Sequence, residues 1–379
     1  MKKPNLSAKL FIICAAFLVQ NNLFSQPSGK TIITVGTTPL QKDAQEDAKK
    51  EFGGAYLLFN GELSSDVMTA GGKIYYRLHS AANRDENAQK LEVKRAYLKI
   101  RPFKTEDLEL GMGKLYSYYL SGGYFDLNEF YTGSTRWGKT GLGVKAKKSG
   151  VIAGIALPLE ESYKTVEDHF AINGSLGYDF APLFDLPLTF GTTLFYEAAG
   201  DSDPKEFSKK DLSSSVSLHY SKKNNDSALK KLSAFASYSW NSSCYAANST
   251  FKNIANYSKI GKAKFASVNL KANFDFASFT LEGEAGHSME GDYVPLYAGT
   301  QLLIPVTPHI SLRPQFFYYA GLNTKDSDLS RTTYVFYPRL MFYFGKNTIS
   351  AGAQFERRQT TAEDWNLGWS IPLYWEYKF

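Results

Sequence analysis

Residues 366–379 read NLGWSIPLYWEYKF, and this stretch decides the fold class of the chain. Every second position from Leu367 to Phe379 is apolar or aromatic, whereas the positions between them are mostly small or polar. Successive side chains of a β-strand point to opposite faces, so this period predicts a strand with one apolar face and one polar face. Such a strand is typical of a membrane-spanning β-barrel, and the alternative is a buried strand of a soluble β-sandwich.

The same alternation recurs along the chain, in residues 171–180, 186–196, 266–276 and 349–356. The polar positions of these segments are rich in Gly, Ser, Asn and Thr, which suits a water-filled interior. The composition agrees, because 43% of the residues are hydrophobic, 15% are aromatic and the mean hydropathy is −0.30. A helical membrane protein is far more apolar, since every residue of its spans meets lipid. We therefore predict an all-β, transmembrane antiparallel barrel.

The connections between the segments alternate between tight and long, which predicts the direction of each strand. The predicted tight turns are residues 147–150, 275–278, 306–309 and 345–347, with 222–229 as a longer turn at the same end. The predicted long, polar connections are residues 80–90, 117–138, 158–168, 197–210, 241–259, 318–331 and 356–364. Short periplasmic turns and long surface loops are characteristic of bacterial barrels.

The strand count follows from the same segments. Seventeen good segments lie from Gly53 onward, and residues 30–38 (KTIITVGTT) supply an eighteenth with weaker alternation. An even number keeps both ends of the chain in the periplasm, so we predict about eighteen strands, with sixteen as the alternative. We expect no plug domain before the barrel, which argues against a TonB-dependent transporter.

The amino-terminal residues have the pattern of a cleaved signal peptide. Lys2, Lys3 and Lys9 precede the apolar run of residues 10–19, and a polar stretch follows. Ten apolar residues are too few to span a bilayer as a helix, and Ile13 before Cys14 argues against lipidation. We expect residues 1–25 to be removed and residues 26–379 to form a single barrel with long extracellular loops.

Charge and cysteine content exclude several classes of protein. The expected leader contains three of the 43 basic residues and none of the 37 acidic ones, which leaves a net charge of +3. That balance is too mild to indicate a nucleic-acid partner. Cys244 is then the one remaining thiol, so no intrachain disulfide is expected.

The carboxyl terminus resembles the last strand of bacterial outer-membrane porin-like barrels. In that family a terminal Phe with aromatic residues at alternating positions is recognised by the barrel-assembly machinery, and Phe379, Tyr377 and Trp375 fill this pattern. The resemblance implies an integral outer-membrane protein, exported across the inner membrane, that contacts outer-membrane lipid. It also implies small hydrophilic solutes as ligands and a homotrimeric assembly.

The pore-lining residues are predicted from the alternation, because charged side chains opposite the apolar face point into the lumen. The charged positions on this inward face are Lys73, Arg77, Arg95, Lys99, Lys145, Lys271, Glu282, Glu284, Arg313 and Arg339. The cations on the neighbouring strands 71–79, 91–101 and 140–147 are expected to form a basic ladder on one wall. Walls of charged side chains set the selectivity of water-filled pores. The alternative is that these charges only pair with one another across the lumen and select no solutes.

Residues 39–52 form the first predicted surface loop in the eighteen-strand count, and the third, residues 117–138, resembles the constriction loop of general porins. Those barrels fold the loop inward, often with acids facing a basic wall, and Asp126 and Glu129 occupy its middle here. Gly122 and Gly123 favour an inward bend. The alternative is an ordinary exposed loop.

We therefore predict a porin, a passive diffusion channel for small hydrophilic solutes with a mild preference for anions. The alternative is a non-conducting surface protein, either an adhesin or a structural barrel. No cofactor, metal site or enzymatic activity is expected. The nearest catalytic candidates, His287 and Ser288, are adjacent in a strand and so point to opposite faces.

Overall fold

The computed structural model describes thirteen segments of the chain. They are residues 28–44, 50–78, 89–105, 107–113, 123–125, 130–132, 141–158, 170–198, 212–224, 226–243, 262–289, 291–359 and 361–379. The expected signal peptide lies outside these residues, and so do Asp126, Glu129 and Cys244.

The described residues form 24 strands, one short α-helix and one 3₁₀ helix. The strands of the amino-terminal half are β1 (Ser28–Thr38), β2 (Gln41–Lys42), β3 (Lys50–Glu51), β4 (Gly54–Ser64), β5 (Met68–Leu78), β6 (Gln89–Ile100), β7 (Leu108–Gly113), β8 (Gly123–Phe125), β9 (Phe130–Thr132), β10 (Gly141–Lys148), β11 (Val151–Pro158), β12 (Phe170–Asp179) and β13 (Leu188–Ala198). Those of the carboxyl-terminal half are β14 (Leu212–Lys223), β15 (Leu229–Ser243), β16 (Lys262–Phe274), β17 (Ser278–Ser288), β18 (Tyr293–Thr307), β19 (Ile310–Asn323), β20 (Arg331–Phe344), β21 (Asn347–Gly352), β22 (Gln354–Gln359), β23 (Trp365–Ser370) and β24 (Leu373–Lys378). The helix α1 (Ala181–Phe184) follows β12, and the 3₁₀ helix Ser327–Leu329 follows β19.

All strands except β8 and β9 belong to one closed antiparallel sheet. β2 and β3 extend the β1–β4 hairpin, β21 and β22 are two parts of one strand, and so are β23 and β24. Counting each continuation once, the barrel has eighteen strands, as predicted. β1 closes it by pairing with both β4 and β24, where Val35 lies opposite Trp375. Closure satisfies the backbone at both edges of the sheet, which a strand inside lipid requires.

Prolines account for the two interruptions in the last strands. Residues 371–372 separate β23 from β24, and Pro372 has no amide hydrogen to donate to the ladder. Residue 353 separates β21 from β22, where Ala353 N donates to Pro338 O at 3.2 Å and Pro338 offers no amide in return. The alternation of faces continues through both breaks, because Ile349 and Phe355 are exposed on either side of residue 353, and Leu367 and Leu373 on either side of residues 371–372.

The connections differ in length at the two ends of the barrel. One end carries the short turns 65–67, 149–150, 275–277, 308–309 and 345–346. The turn 149–150 has positive φ at both residues, 49° at Ser149 and 86° at Gly150, as a tight hairpin requires. The long connections begin and end at the opposite end, which identifies that end as the extracellular side.

Side chains divide between the two faces of the sheet as the alternation predicts. The apolar outward residues are exposed along the whole wall, for example Leu57, Val144, Leu194, Val268 and Phe336. The β-branched and aromatic residues that dominate these positions suit a pleated sheet, and lipid covers them in a membrane. No helix of the described part is long and apolar enough to cross a membrane.

Candidate functional site

The wall formed by β5, β6, β7 and β10 carries the first group of predicted pore-lining residues. Lys73 and Arg77 share the inward face of β5 with the buried Thr69. Lys99 on β6 pairs with Thr69 and therefore faces the same way. Arg95 pairs with Lys73, and only its backbone is described. These positions form one column on adjacent strands.

A carboxylate lies within this column. Glu109 on β7 is 8% exposed, and its two oxygens lie 3.4 Å from Lys99 Nζ and 3.1 Å from Arg101 Nε. Glu109 is also the register partner of Lys145 on β10. The charges of Lys99 and Arg101 are thus partly neutralised. The sequence contained the signal for this residue, because Glu109 alternates with the outward-facing Leu108 and Leu110.

Two further acids belong to the same wall. Tyr97 OH donates a hydrogen bond to Glu62 on β4, and Gly71 between them leaves room for the ring, since a Cβ there would come within 2.5 Å of it. A register shift after Lys73 makes Glu92 the partner of Tyr75. Uniform alternation does not place Glu92 on the inward face, so this residue required the structure.

A second polar cluster, on β18, β19 and β20, contains the predicted residues Arg313 and Arg339. The two arginines lie opposite each other in register. Arg313 Nε donates to Gln301 Oε1 at 2.5 Å, Gln315 Nε2 donates to the same oxygen at 2.8 Å, and Arg339 Nη2 donates to Gln315 Oε1 at 2.6 Å. We call these four residues the arginine–glutamine cluster.

The arginine–glutamine cluster keeps its positive charge. Glutamine oxygens accept hydrogen bonds from guanidinium groups without neutralising them. Among the described residues, neither Arg313 nor Arg339 forms an ion pair with a carboxylate. Two like charges therefore face the lumen side by side on this wall.

Tyrosines connect this cluster to the first wall. Tyr374 on β24 lies 6.1 Å from Tyr56 on β4, whose ring lies 5.3 Å from that of Tyr75. Tyr56 reaches across β1 because Gly36 has no side chain, and a Cβ there would lie 2.3 Å from the tyrosine ring. The Arg77 guanidinium lies 5.4 Å from the centre of the Tyr75 ring.

Glycine makes room for the other end of the tyrosine row in the same way. The Arg339 guanidinium lies 4.6 Å from the centre of the Tyr337 ring. A Cβ on Gly352 would lie 2.6 Å from Arg339 Cγ and 2.8 Å from Tyr337 Cε2. Tyrosine rings thus follow one side of the lumen, with the Arg77 guanidinium against the ring at one end and the Arg339 guanidinium against the ring at the other.

The predicted acidic pair lies on β17. Glu282 is 1% exposed and accepts hydrogen bonds from Tyr297 OH at 2.9 Å and from Asn269 Nδ2 at 3.2 Å. Glu284, also buried, lies on the same face. Lys271 lies on the inward face of β16, two residues from Asn269. Tyr297 and Asn269 thus hold the Glu282 carboxylate in a fixed position within a polar network.

The extracellular mouth contains another charge cluster. Arg358 on β22 bonds Glu356 at 2.5 Å and lies 3.6 Å from Asp43, which follows β2. Ala44 is buried against Gly368 on β23, where a Cβ would lie 2.7 Å from Ala44 N. The beginning of the first surface loop is thereby fixed to the inside of the wall.

The loop between β7 and β10 contains the hairpin β8–β9, within the predicted constriction segment. Backbone atoms of β8 lie within 8 Å, Cα to Cα, of both β16 and β15. β7 and β10 are neighbours, and five strands separate β10 from β16 around the barrel. The hairpin therefore approaches a distant part of the wall. Asp126 and Glu129 lie between β8 and β9 in the sequence, outside the described residues, and their role stays a prediction.

The predicted assembly residues lie on the outward face at the periplasmic end. Trp375 is 40% exposed and its Nε1 donates to Asn347 Oδ1 at 3.0 Å. The rings of Tyr377 and Phe379 are 4.6 Å apart, and Phe379 N donates to Thr31 O at 2.9 Å. The terminal residue is therefore part of the seam that closes the barrel.

The catalytic candidates diverge, as their adjacency predicts. His287 is exposed on the outward face of β17, whereas Ser288 is buried on the inward face. Within the described segments, no three histidine, cysteine or acidic residues are grouped as a metal site requires.

Comparisons with known proteins identify the fold. The sequence matches no protein-family model, and no curated protein matches it. The structure is similar to Pseudomonas aeruginosa OpdQ, with a TM-score of 0.56 and 8% identity over 95% of this chain and 99% of that one. It is similar to Pseudomonas aeruginosa OpdK solved with vanillate, with a TM-score of 0.55 and 11% identity over 94% and 99% of the chains.

A further similar structure is Wzi of Escherichia coli, described as an outer-membrane protein involved in group 1 capsule assembly and as a carbohydrate-binding β-barrel. It has a TM-score of 0.53 and 10% identity over 98% of this chain and 89% of that one. At these identities the likeness concerns the fold. The chain has the porin-like barrel fold of integral proteins of the bacterial outer membrane.

Proposed function

We propose that this barrel is a passive porin for small hydrophilic solutes with a weak preference for anions. The observation that carries the proposal is the arginine–glutamine cluster. Arg313 and Arg339 face the lumen without an ion-pair partner among the described residues, so they lower the electrostatic barrier for an anion more than paired cations do.

The preference is weak because acids offset the other cations. Glu109 contacts both Lys99 and Arg101 in the column that the alternation predicted to be basic. Glu282 and Glu284 add negative groups on β17. The selectivity therefore depends more on the arginine–glutamine cluster than on Lys99 and Arg101.

The β8–β9 hairpin favours a constriction within this pore. The hairpin lies close to β15 and β16, as expected of a loop that folds across the barrel. Such a loop narrows the path for solutes. We propose that Asp126 and Glu129, which lie between β8 and β9 in the sequence, contribute acids to this constriction, which is a second reason for weak anion selectivity.

The selectivity is tested with the double variant Arg313→Gln, Arg339→Gln, which keeps hydrogen-bonding groups and removes both charges. Its matched control is Lys148→Gln, Lys325→Gln, which removes two charges outside the lumen, one on the outward face and one in a surface loop. We expect the reversal potential in a salt gradient to shift toward cations in the first variant and to stay unchanged in the control. Equal behaviour of the two variants would show that these arginines do not line the path.

The second candidate function is a non-conducting surface barrel. It is supported by the burial of inward-facing side chains, since Asn173, Thr193, Ser239 and Thr333 are at most 1% exposed although an empty lumen of this width leaves its wall wet. The likeness to a carbohydrate-binding barrel suits this candidate too. If correctly folded protein conducts no ions but is retained on a polysaccharide affinity matrix, the result would favour the surface barrel over the porin.

Biogenesis and assembly follow from the resemblance of the carboxyl terminus. We propose that the leader is cleaved after Ser25, that the assembly machinery recognises Trp375, Tyr377 and Phe379, and that the barrels form trimers. Deletion of Phe379 is expected to reduce the folded, heat-modifiable form severalfold while leaving export intact. Unchanged folding on deletion would contradict the recognition role. Sequencing the amino terminus of the mature protein tests cleavage after Ser25, and the mass of the native complex tests trimer formation.

A further inference from the structure

The outward face of β19, β20, β22 and β23 carries an aromatic cluster at its extracellular end. The rings of Tyr318 and Tyr334 are 5.3 Å apart, and Trp365 stacks on Tyr334 at 5.8 Å with an interplanar angle of 24°. We call these three residues the aromatic platform. The guanidinium of Arg357 lies 4.9 Å from the centre of the Trp365 ring.

The platform lies at the upper boundary of the apolar band. The outward positions of β20 run from Phe344 at the periplasmic end to Tyr334, which pairs with Arg357. Ten residues at about 3.4 Å each, tilted by about 40°, span roughly 25 Å, which is the height of the band in barrels of this class. Arg357 therefore lies at the level of the headgroups of the outer leaflet.

Arg357 has no counter-charge on this face. It is exposed, and among the described residues it forms no ion pair. Its neighbours Glu356 and Arg358 are on the inward face, where they bond each other. A guanidinium at headgroup level that has no carboxylate partner in the described part of the chain is available to an anionic group of the membrane.

We propose that Arg357 and the aromatic platform form a binding site for the phosphate group of an anionic glycolipid in the outer leaflet. Stacking on Trp365 fixes the plane of the guanidinium and leaves its N–H edge available for two parallel hydrogen bonds to phosphate oxygens. The tyrosine and tryptophan rings offer apolar faces and polar edges to the sugar and acyl parts of the same lipid. The site is independent of what passes through the pore.

The test uses the full-length barrel in nanodiscs of a neutral lipid, with added phosphorylated lipid A or the same lipid after enzymatic removal of its phosphates. Native mass spectrometry measures the lipid bound per barrel. We expect the native protein to prefer the phosphorylated form by at least about tenfold, the smallest factor that corresponds to one hydrogen bond to a charged group. Arg357→Gln is expected to abolish the preference, and Arg357→Lys to retain part of it.

Two further variants separate the site from general electrostatic attraction. Lys148→Gln removes an exposed outward cation at the periplasmic end of β10 and is expected to leave the preference unchanged. Trp365→Leu retains the charge but removes the stacking partner, and is expected to weaken binding severalfold. Equal binding of both lipid forms by the native protein, or an undiminished preference in a folded Arg357→Gln barrel, would overturn the proposal.

Discussion

Replacing Glu109 by glutamine removes the carboxylate that contacts both Lys99 and Arg101 on the inner wall. The side chain is 10% exposed, and the two cations are 14% and 18% exposed. Hydrogen bonds to charged groups contribute about 1.5–3 kcal/mol, and lumen water and the glutamine amide replace part of this. We therefore expect Glu109→Gln to lower the free energy of unfolding by about 1–2 kcal/mol.

The matched control is Glu376→Gln, which removes the partner of Lys378 at 3.1 Å, where the side chains are 33% and 54% exposed. An exposed pair contributes at most about 1 kcal/mol, so this change is expected to have a small effect. Urea unfolding in lipid vesicles measures both variants. Glu109→Gln also adds one net positive charge to the lumen and is expected to raise anion selectivity. Equal stability of the two variants together with unchanged selectivity would refute the assigned role of Glu109.

Two other predictions concern the wall and the loop. Gly286→Ala places a Cβ 2.4 Å from Lys264 O and is expected to destabilise the barrel by about 1–3 kcal/mol, whereas Gly174→Ala meets nothing within 4 Å and is expected to be near neutral in the same unfolding assay. The loop is tested with single cysteines in a protein whose Cys244 is replaced by serine. A cysteine at position 124 in β8 is expected to resist a bulky impermeant thiol reagent on whole cells, whereas a cysteine at position 325 in an exposed loop is expected to be labelled. Equal labelling of the two would place the hairpin outside the barrel.

The strand number and the direction of side chains were predictable from the sequence because lipid and water impose a period of two on every strand. The alternation of apolar and polar residues in 266–276 and 366–379 is visible in the sequence itself. Pro372 interrupts the hydrogen bonds of its strand but does not change which residues face outward. β1 was the weakest prediction, since its polar side chains leave little contrast. The position of β1 in the sheet follows from its pairing with both β4 and β24, which closes the barrel.

The contacts between inward residues were not predictable, because they depend on register and on local irregularities. The register shift after Lys73 brings Glu92 opposite Tyr75, and no feature of a single strand predicts it. The reach of Tyr56 across Gly36 likewise requires knowledge of which strands are neighbours. The alternation in sequence could have indicated Glu109 and Glu62, but their contacts with Lys99, Arg101 and Tyr97 required the structure.

The central claim, that this barrel is a weakly anion-selective pore, is tested most directly by recording single channels of the native protein in a planar bilayer under a salt gradient. We predict discrete conductance steps and a small reversal potential with the sign of anion preference, because Arg313 and Arg339 lack carboxylate partners in the described part of the lumen. Cation selectivity would contradict the role of the arginine–glutamine cluster, and the absence of conductance from folded, heat-modifiable protein would contradict the porin itself.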